Sequence, residues 1–137
     1  MSYVLSDALQ TAVYETLTAD ATLMSLVDGA IYDALPTGQV PELYVNFGAE
    51  RVRDRSDASV RAALHEFAVT VISDTPGYLS AKKAAGRIAE ILDDSKPDLS
   101  RGRVVRMDFF KATARVRGKR REVEIWFRAF VEDVTLD

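Results

Sequence analysis

The apolar positions change period along the chain, and each change marks an element. Val4, Leu5, Ala8, Leu9, Ala12, Val13 and Leu17 recur at steps of three and four, which predicts an amphipathic helix over residues 2–18 with one face to bury. Asp20 is placed to cap a second short helix carrying Leu23, Met24 and Leu26, and Gly29 supplies its left-handed stop. A brief strand over residues 30–33 then enters a loop holding Pro36, Gly38 and Pro41. From Leu43 the period becomes two: Leu43, Val45 and Phe47 face one way and Tyr44 and Asn46 the other, until Gly48 loosens the strand. The polar, mixed-sign run over residues 50–59 predicts a mobile loop.

A third strand is expected over residues 62–73, with His65, Phe67, Val69 and Val71 on one side and Leu64, Ala68, Thr70 and Ile72 on the other. Both faces are largely apolar, so this strand belongs at the covered centre of a sheet. Residues 74–77 break it, and helical spacing returns through Leu79, Lys82, Ala85, Ile88, Ala89 and Leu92. The alanines and Gly86 of this helix suggest close contact with a sheet, which would offset the roughly 1 kcal/mol that a helical glycine costs. Two long strands follow, over residues 103–116 and 120–133, joined by a turn at Arg117, Gly118 and Lys119. This order suits an α+β fold: a single domain over residues 1–137, a mostly antiparallel sheet with helices packed on one face, and a long C-terminal hairpin. Strands usually run about five or six residues, so part of that hairpin is expected to project.

Composition narrows the classes. The 137 residues, 47% hydrophobic and 28% charged, can bury a normal core, and nothing approaches a membrane span of about 20 apolar residues. The absence of cysteine excludes disulfides, thiol catalysis and Cys-based metal sites. The first residues carry Asp7 and spaced apolar positions instead of a basic, continuous leader, so the expectation is a protein made and kept in the cytoplasm.

Charge is unevenly spread. Residues 101–121 hold nine Lys or Arg and one acid, net +8, while residues 1–100 sum to −7 and residues 122–137 to −4, so an overall −3 hides a basic band between acidic stretches. The band consists of Arg101, Arg103, Arg106, Lys111, Arg115, Arg117, Lys119, Arg120 and Arg121. It can be a solvated face, a nucleic-acid patch, or a surface that docks on the acidic part of a neighbouring subunit. A pI near 5.2 gives weak long-range attraction for phosphate, and the third reading uses both halves of the asymmetry.

Catalytic vocabulary is sparse. His65 is the only histidine, at an inward strand position beside Phe67, where it reads as a packed core residue. The acids show neither zinc nor calcium spacing, so no metal or other cofactor is expected. Asp93 with Asp94, and Glu122 with Glu124, look solvent-facing, and paired carboxylates do acid–base work only when their environments separate their pKa values. Lys82 and Lys83 near Gly86 lack phosphate-loop spacing. The chain is therefore not expected to be an enzyme. Trp126 falls on the polar side of the last strand with Glu124 and Arg128; it fits either a smaller core beneath the first helix or a subunit contact.

Residues 17–48 (LTADATLMSLVDGAIYDALPTGQVPELYVNFG), residues 65–92 (HEFAVTVISDTPGYLSAKKAAGRIAEIL) and the closing strand REVEIWFRAFVED resemble the tail terminator or tail completion proteins of long-tailed bacteriophages and gene transfer agents. The telling parts are Val27-Asp28-Gly29 at the end of a short helix, Ile31-Tyr32-Asp33 leading to Pro36, and a final strand ending in acids. The resemblance covers nearly the whole chain and implies a structural virion protein at the tail-neck junction. It implies a ring, typically of six subunits, that stops growth of the tail tube and presents a surface to the head connector or stopper protein, while DNA passes through without specific binding. The same neck region also holds head completion and adaptor proteins, which sequence does not separate from a terminator.

A ring of this kind needs a head-to-tail interface in which unlike patches meet. Charge and expected mobility single out Arg51, Arg53, Asp54, Arg55, Arg115, Arg117, Lys119, Arg120, Arg121 and Trp126 as candidate contacts with a subunit or partner. The basic band is expected to point into interfaces, because arginines lining a bore would bind passing phosphate.

Overall fold

The computed structural model describes residues 3–74 and 78–133. Helix α1 (Ser6–Thr18) buries Ala8, Leu9, Ala12, Val13 and Leu17, the stripe expected from the spacing, but starts four residues later than expected. The Ser6 hydroxyl does not cap its own helix; it donates to Glu50 at 2.9 Å, which fastens the helix start to the sheet. Helix α2 (Ala21–Val27) opens on Asp20, whose carboxylate accepts from the Leu23 amide at 2.8 Å, and closes on Asp28 in a left-handed conformation at φ 52°. The Asp20 carboxylate also takes two bonds from Arg87 of α3 (Leu79–Leu92), at 2.6 and 2.9 Å, tying the two helices together. The Arg87 hydrogen bond, followed by the Leu23 amide, holds the Asp20 pKa below the usual carboxylate value.

The five strands are β1 (Ile31–Tyr32), β2 (Leu43–Asp54), β3 (Ala62–Ser73), β4 (Arg103–Arg117) and β5 (Arg120–Glu132). They form one sheet in the order β1-β2-β3-β5-β4, antiparallel except for the β1–β2 pair. β3 lies at the centre, with β2 on one side and β5 paired along its whole length, from Ala62 opposite Glu132 to Ser73 opposite Arg121. Alternation sorts its side chains as the sequence requires. Ala63, Phe67, Val69 and Val71 join Val123, Ile125, Phe127, Ala129 and Val131 of β5 in the core under the helices, where Phe67 stacks on Phe127 with ring centroids 5.6 Å apart.

β2 departs from expectation. It does not end at Gly48; a bulge between Phe47 and Glu50 absorbs the glycine, and pairing with β3 continues to Asp54. A Cβ at Gly48 would sit 3.1 Å from the Thr70 hydroxyl and 3.2 Å from the Ala68 methyl, so a side chain there would press on both and glycine suits the close approach. The segment read as a mobile loop is thus half strand. Its remainder is an organised turn, in which Asp57 accepts from the Ser59 and Val60 amides at 2.8 Å each. Those amides lower the Asp57 pKa.

The C-terminal hairpin also differs. Because β3 reaches Arg121, only the tight turn at Gly118 (φ 59°) and Lys119 extends past the sheet, and the hairpin is exposed sideways, as the sheet's edge. Small residues Ala81, Ala84 and Ala85 bring α3 onto the sheet, whereas Gly86 lies on the solvent side with open space around it. Gly86→Ala should therefore raise stability by roughly 0.5–1 kcal/mol, read as a higher urea midpoint at unchanged slope.

His65 is fully buried, and neither ring nitrogen has a hydrogen-bond partner among the described residues. Burial pushes its pKa from 6.5 down to about 4. A base with a depressed folded pKa leaves stability untouched above pH 6.5 and removes it as pH falls toward 4, where the unfolded chain takes a proton that the folded chain refuses. His65→Leu should be at least as stable as wild type at neutral pH, and its advantage should grow by about 2 kcal/mol at pH 5. Urea titrations of both proteins at the two pH values measure that gap; a constant gap would contradict the account.

Candidate assembly surfaces

The helices cover one face of the sheet, and the other face is open. Register places its side chains in level rows. Leu64 of β3 lies between Arg53 and Phe130, with Arg106 beyond; Glu66 lies between Arg51 and Arg128, with Asp108 beyond; Ala68 neighbours Trp126, with Lys111 beyond. Toward the hairpin turn come Thr70 with Asn46, Glu124 and Thr113, then Ile72 with Tyr44, Glu122 and Arg115.

With no helix above it, this face is covered by its own long side chains. Glu66 is buried and accepts from Arg128 at 2.8 Å, and the Arg128 guanidinium in turn stacks 3.9 Å above the Phe110 ring. Lys111 sits 5.2 Å over Trp126, and Arg106 sits 5.4 Å over Phe130. The Trp126 indole donates to Glu124 at 2.9 Å and lies 6.4 Å from Phe110. Cations thus shield the aromatic groups from water and gain quadrupole attraction in return. Trp126 is on this face, opposite the helices, so the smaller core beneath the first helix is not its setting; the row pattern puts it with charged neighbours.

The ten residues singled out from sequence divide into two groups with Trp126 between them. Arg51, Arg53, Asp54 and Arg55 stand at the β2–β3 turn, and Arg115, Arg117, Lys119, Arg120 and Arg121 at the β4–β5 turn, at opposite ends of the sheet. The Glu66 and Ile72 rows are six residues apart along β3, about 20 Å at strand rise. Much of the basic band is paired within the subunit. Arg101 meets Asp133 and Arg103 meets Glu132 at 2.8 Å, Arg115 and Arg117 share Glu122 at 3.5 and 3.4 Å, and Arg120 reaches Asp74 at 3.7 Å. Arg121 turns to the helix side, over the Tyr78 ring. The pairs at the turn are exposed and long, so each holds its arginine weakly.

A second surface emerges at the far edge. Residues 1–50 hold seven acids and no Lys or Arg. Asp20 is engaged by Arg87, and Glu50 accepts from Ser6 and Tyr3, where burial raises its pKa. Glu15, Asp28, Asp33 and Glu42 are exposed and have no ion-pair partner among the described residues. Asp28, Asp33 and Glu42 flank β1 and the start of β2, and Leu26 and Leu35 lie exposed in the same stretch at 37% and 49%. Composition carried this signal as a run without cations, but only the strand order shows that it occupies the edge opposite β4.

The cleft between α1 and the β2–β3 pair has a volume of about 70 Å³ and is lined by Ser6, Leu9, Gln10, Val13, Phe47, Glu50 and Phe67. Its one carboxylate, Glu50, is occupied in holding the start of α1. The features that remain are extended surfaces of opposite charge, the equipment of an assembly protein.

Comparison with known proteins agrees. Residues 11–132 match the family model of the tail completion protein gp17, and the chain belongs to that family of structural tail proteins. The fold matches a chain in the structure "Virion of native gene transfer agent (GTA) particle" with a TM-score of 0.91 and 44% identity, covering 96% of this chain and 99% of that one. No curated protein matches.

Glu66→Ala would leave Arg128 without its carboxylate and bare Phe110. The Arg128 hydrogen bond, ahead of the Coulombic terms, lowers the Glu66 pKa below 4.5, so this contribution is present above pH 4.5 and fades as pH falls through the folded value. The variant should lose about 1–2 kcal/mol at pH 7, with the deficit shrinking in acid. Urea unfolding against pH checks both parts.

Proposed function

We propose that this chain is a tail terminator: a ring of six subunits that caps the tail tube, ends its polymerisation and joins the tail to the head connector of a phage or gene transfer agent particle. Family membership and the 44% identity to a chain of a gene transfer agent virion support the particle and the tail. The observation that carries ring formation is the separation of charge to opposite edges of one sheet: the net +8 stretch of residues 101–121, most of it β4, and the exposed Asp28, Asp33 and Glu42 around β1. Unlike patches on opposite sides of a subunit make a heterologous interface, which closes into a ring when the rotation between neighbours divides a full turn. Turning the basic band into these junctions also keeps it out of the bore, where it would retard DNA. The turn at residues 55–61, with Arg51, Arg53 and Arg55 beside it, lies at one end of the sheet, where it can meet tube or connector.

Light scattering of the purified protein across concentration and salt, with electron microscopy of the concentrated sample, tests this reading. The expected result is a closed ring with a central hole and the mass of six 15.2 kDa chains, loosening as salt rises. A monomer under every condition, or a filament in place of a ring, would overturn it.

A further inference from the structure

The two edges of the sheet are matched in height as well as in charge. On β4, the connection from α3 closes the first half of the outer edge: the Asp94 amide donates to the Met107 carbonyl at 2.8 Å, and the Phe109 amide donates to the Asp93 carboxylate at 3.0 Å. From Lys111 onward no described residue pairs with that edge, and every residue from 111 to 120 is exposed. At the other side of the sheet, β1 covers β2 only at Val45 and Asn46. Following one row across, Ile31 of β1 is level with Val45, Val71, Val123 and Ala114, the middle of the free half of β4. Within the part of β2 that β1 leaves bare, Glu50 to Asp54 is level with Val104 to Phe109, the stretch of β4 on which the connection engages Met107 and Phe109.

Subunits of a closed ring are related by rotation without a shift along the axis. With the strands running along that axis, surfaces that meet must be level, and the free half of β4 then faces β1 and its acids on the next subunit. A continuous sheet through residues 50–54 of β2 would have to form against the stretch of β4 that the Asp93–Asp94 connection already engages.

We propose that the free edge of β4 docks on the β1 edge of a second copy of this chain, with Arg117 toward Glu42, which precedes Leu43 of the Val116 row, and Lys111 toward Asp33, which follows Tyr32 of the Thr113 row. Val116, 54% exposed on the same strand, supplies an apolar contact for the exposed Leu35. The proposal rests on the ring reading and adds to it which edges meet. It draws on carboxylates that no cation among the described residues pairs with, and on Arg117, whose partner Glu122 is shared with Arg115.

Two charge-reversed proteins test it: Lys111→Glu with Arg117→Glu, and Asp33→Lys with Glu42→Lys. All four sites are exposed, and circular dichroism reports whether each variant folds. Each variant alone would oppose like charges at every junction, so self-association followed by light scattering should weaken by about tenfold or more. An equimolar mixture should restore assembly, because in an even-numbered ring the two can alternate with opposite charges at every junction. A second readout does not depend on those variants. The chain has no cysteine, so Val116→Cys and Leu35→Cys proteins treated with a short bismaleimide should cross-link when mixed and not separately. Rings of wild-type strength in both reversed variants, with no mixed cross-link, would overturn this pairing of edges and leave the ring standing. A wild-type protein that stays monomeric throughout would overturn both, and assembly that appears only with added duplex DNA would remove the second copy as the occupant.

Discussion

A sheet with strands of twelve residues or more needs both faces dry at its centre, and this chain has helices for only one of them. Everything else follows from how the second face is closed. β3 sits between β2 and β5 and is buried on both sides, yet half of its side chains point away from the helices. Arg51 of β2 and Arg128 of β5 meet the buried Glu66 among them, Trp126 of β5 stands level with Ala68, and Lys111 of β4 lies over Trp126. Long amphipathic side chains can do this because their stems are apolar and their heads stay wet. A helix layer on this face would have removed it from contact with anything else.

The same one-sided architecture sets the charge geometry. β1 and the start of β2 belong to the first fifty residues, which carry acids and no Lys or Arg, and they stand at one side of the sheet. Residues 101–121, with nine of the 18 cations, lie at the other side, because β5 inserts beside β3 and leaves β4 outermost. A sequence with an acidic first third and a late basic band becomes a molecule with acidic and basic edges. Edges are where a sheet meets other chains, since a strand at the rim has backbone groups without partners. Here the rim is closed by the Asp93–Asp94 connection over half its length and left open over the other half.

Several features were legible without coordinates because they depend on local periodicity. The stripe of α1, the Asp20 cap of α2, the bounds of β3 and the pair of long closing strands follow from spacings of three, four or two and from residues that stop helices and strands. Residues 50–54 were not legible: their polarity reads as loop, and they are strand because β3 offers a partner and the Gly48 bulge restores the register. Gly86 was misleading in the opposite way, since the alanines alone make the close contact of α3. Of the candidate surface residues, Arg115, Arg117, Lys119 and Arg120 do gather at one turn, but Arg121 leaves them for the helix side and the Arg51–Arg55 group stands at the other end of the sheet.

The sequence by itself determined most of the elements, the α+β class, the lack of thiol chemistry and the presence of a basic band between acidic stretches, because composition and period are properties of the chain read in order. Tertiary structure decided that the long hairpin is an edge and does not project, that Trp126 belongs to the open face, and that the free half of β4 stands level with β1. Those facts depend on which strand lies beside which and in what register. Pairing is set by the collective fit of side chains from distant segments, so it appears only when the sheet is assembled.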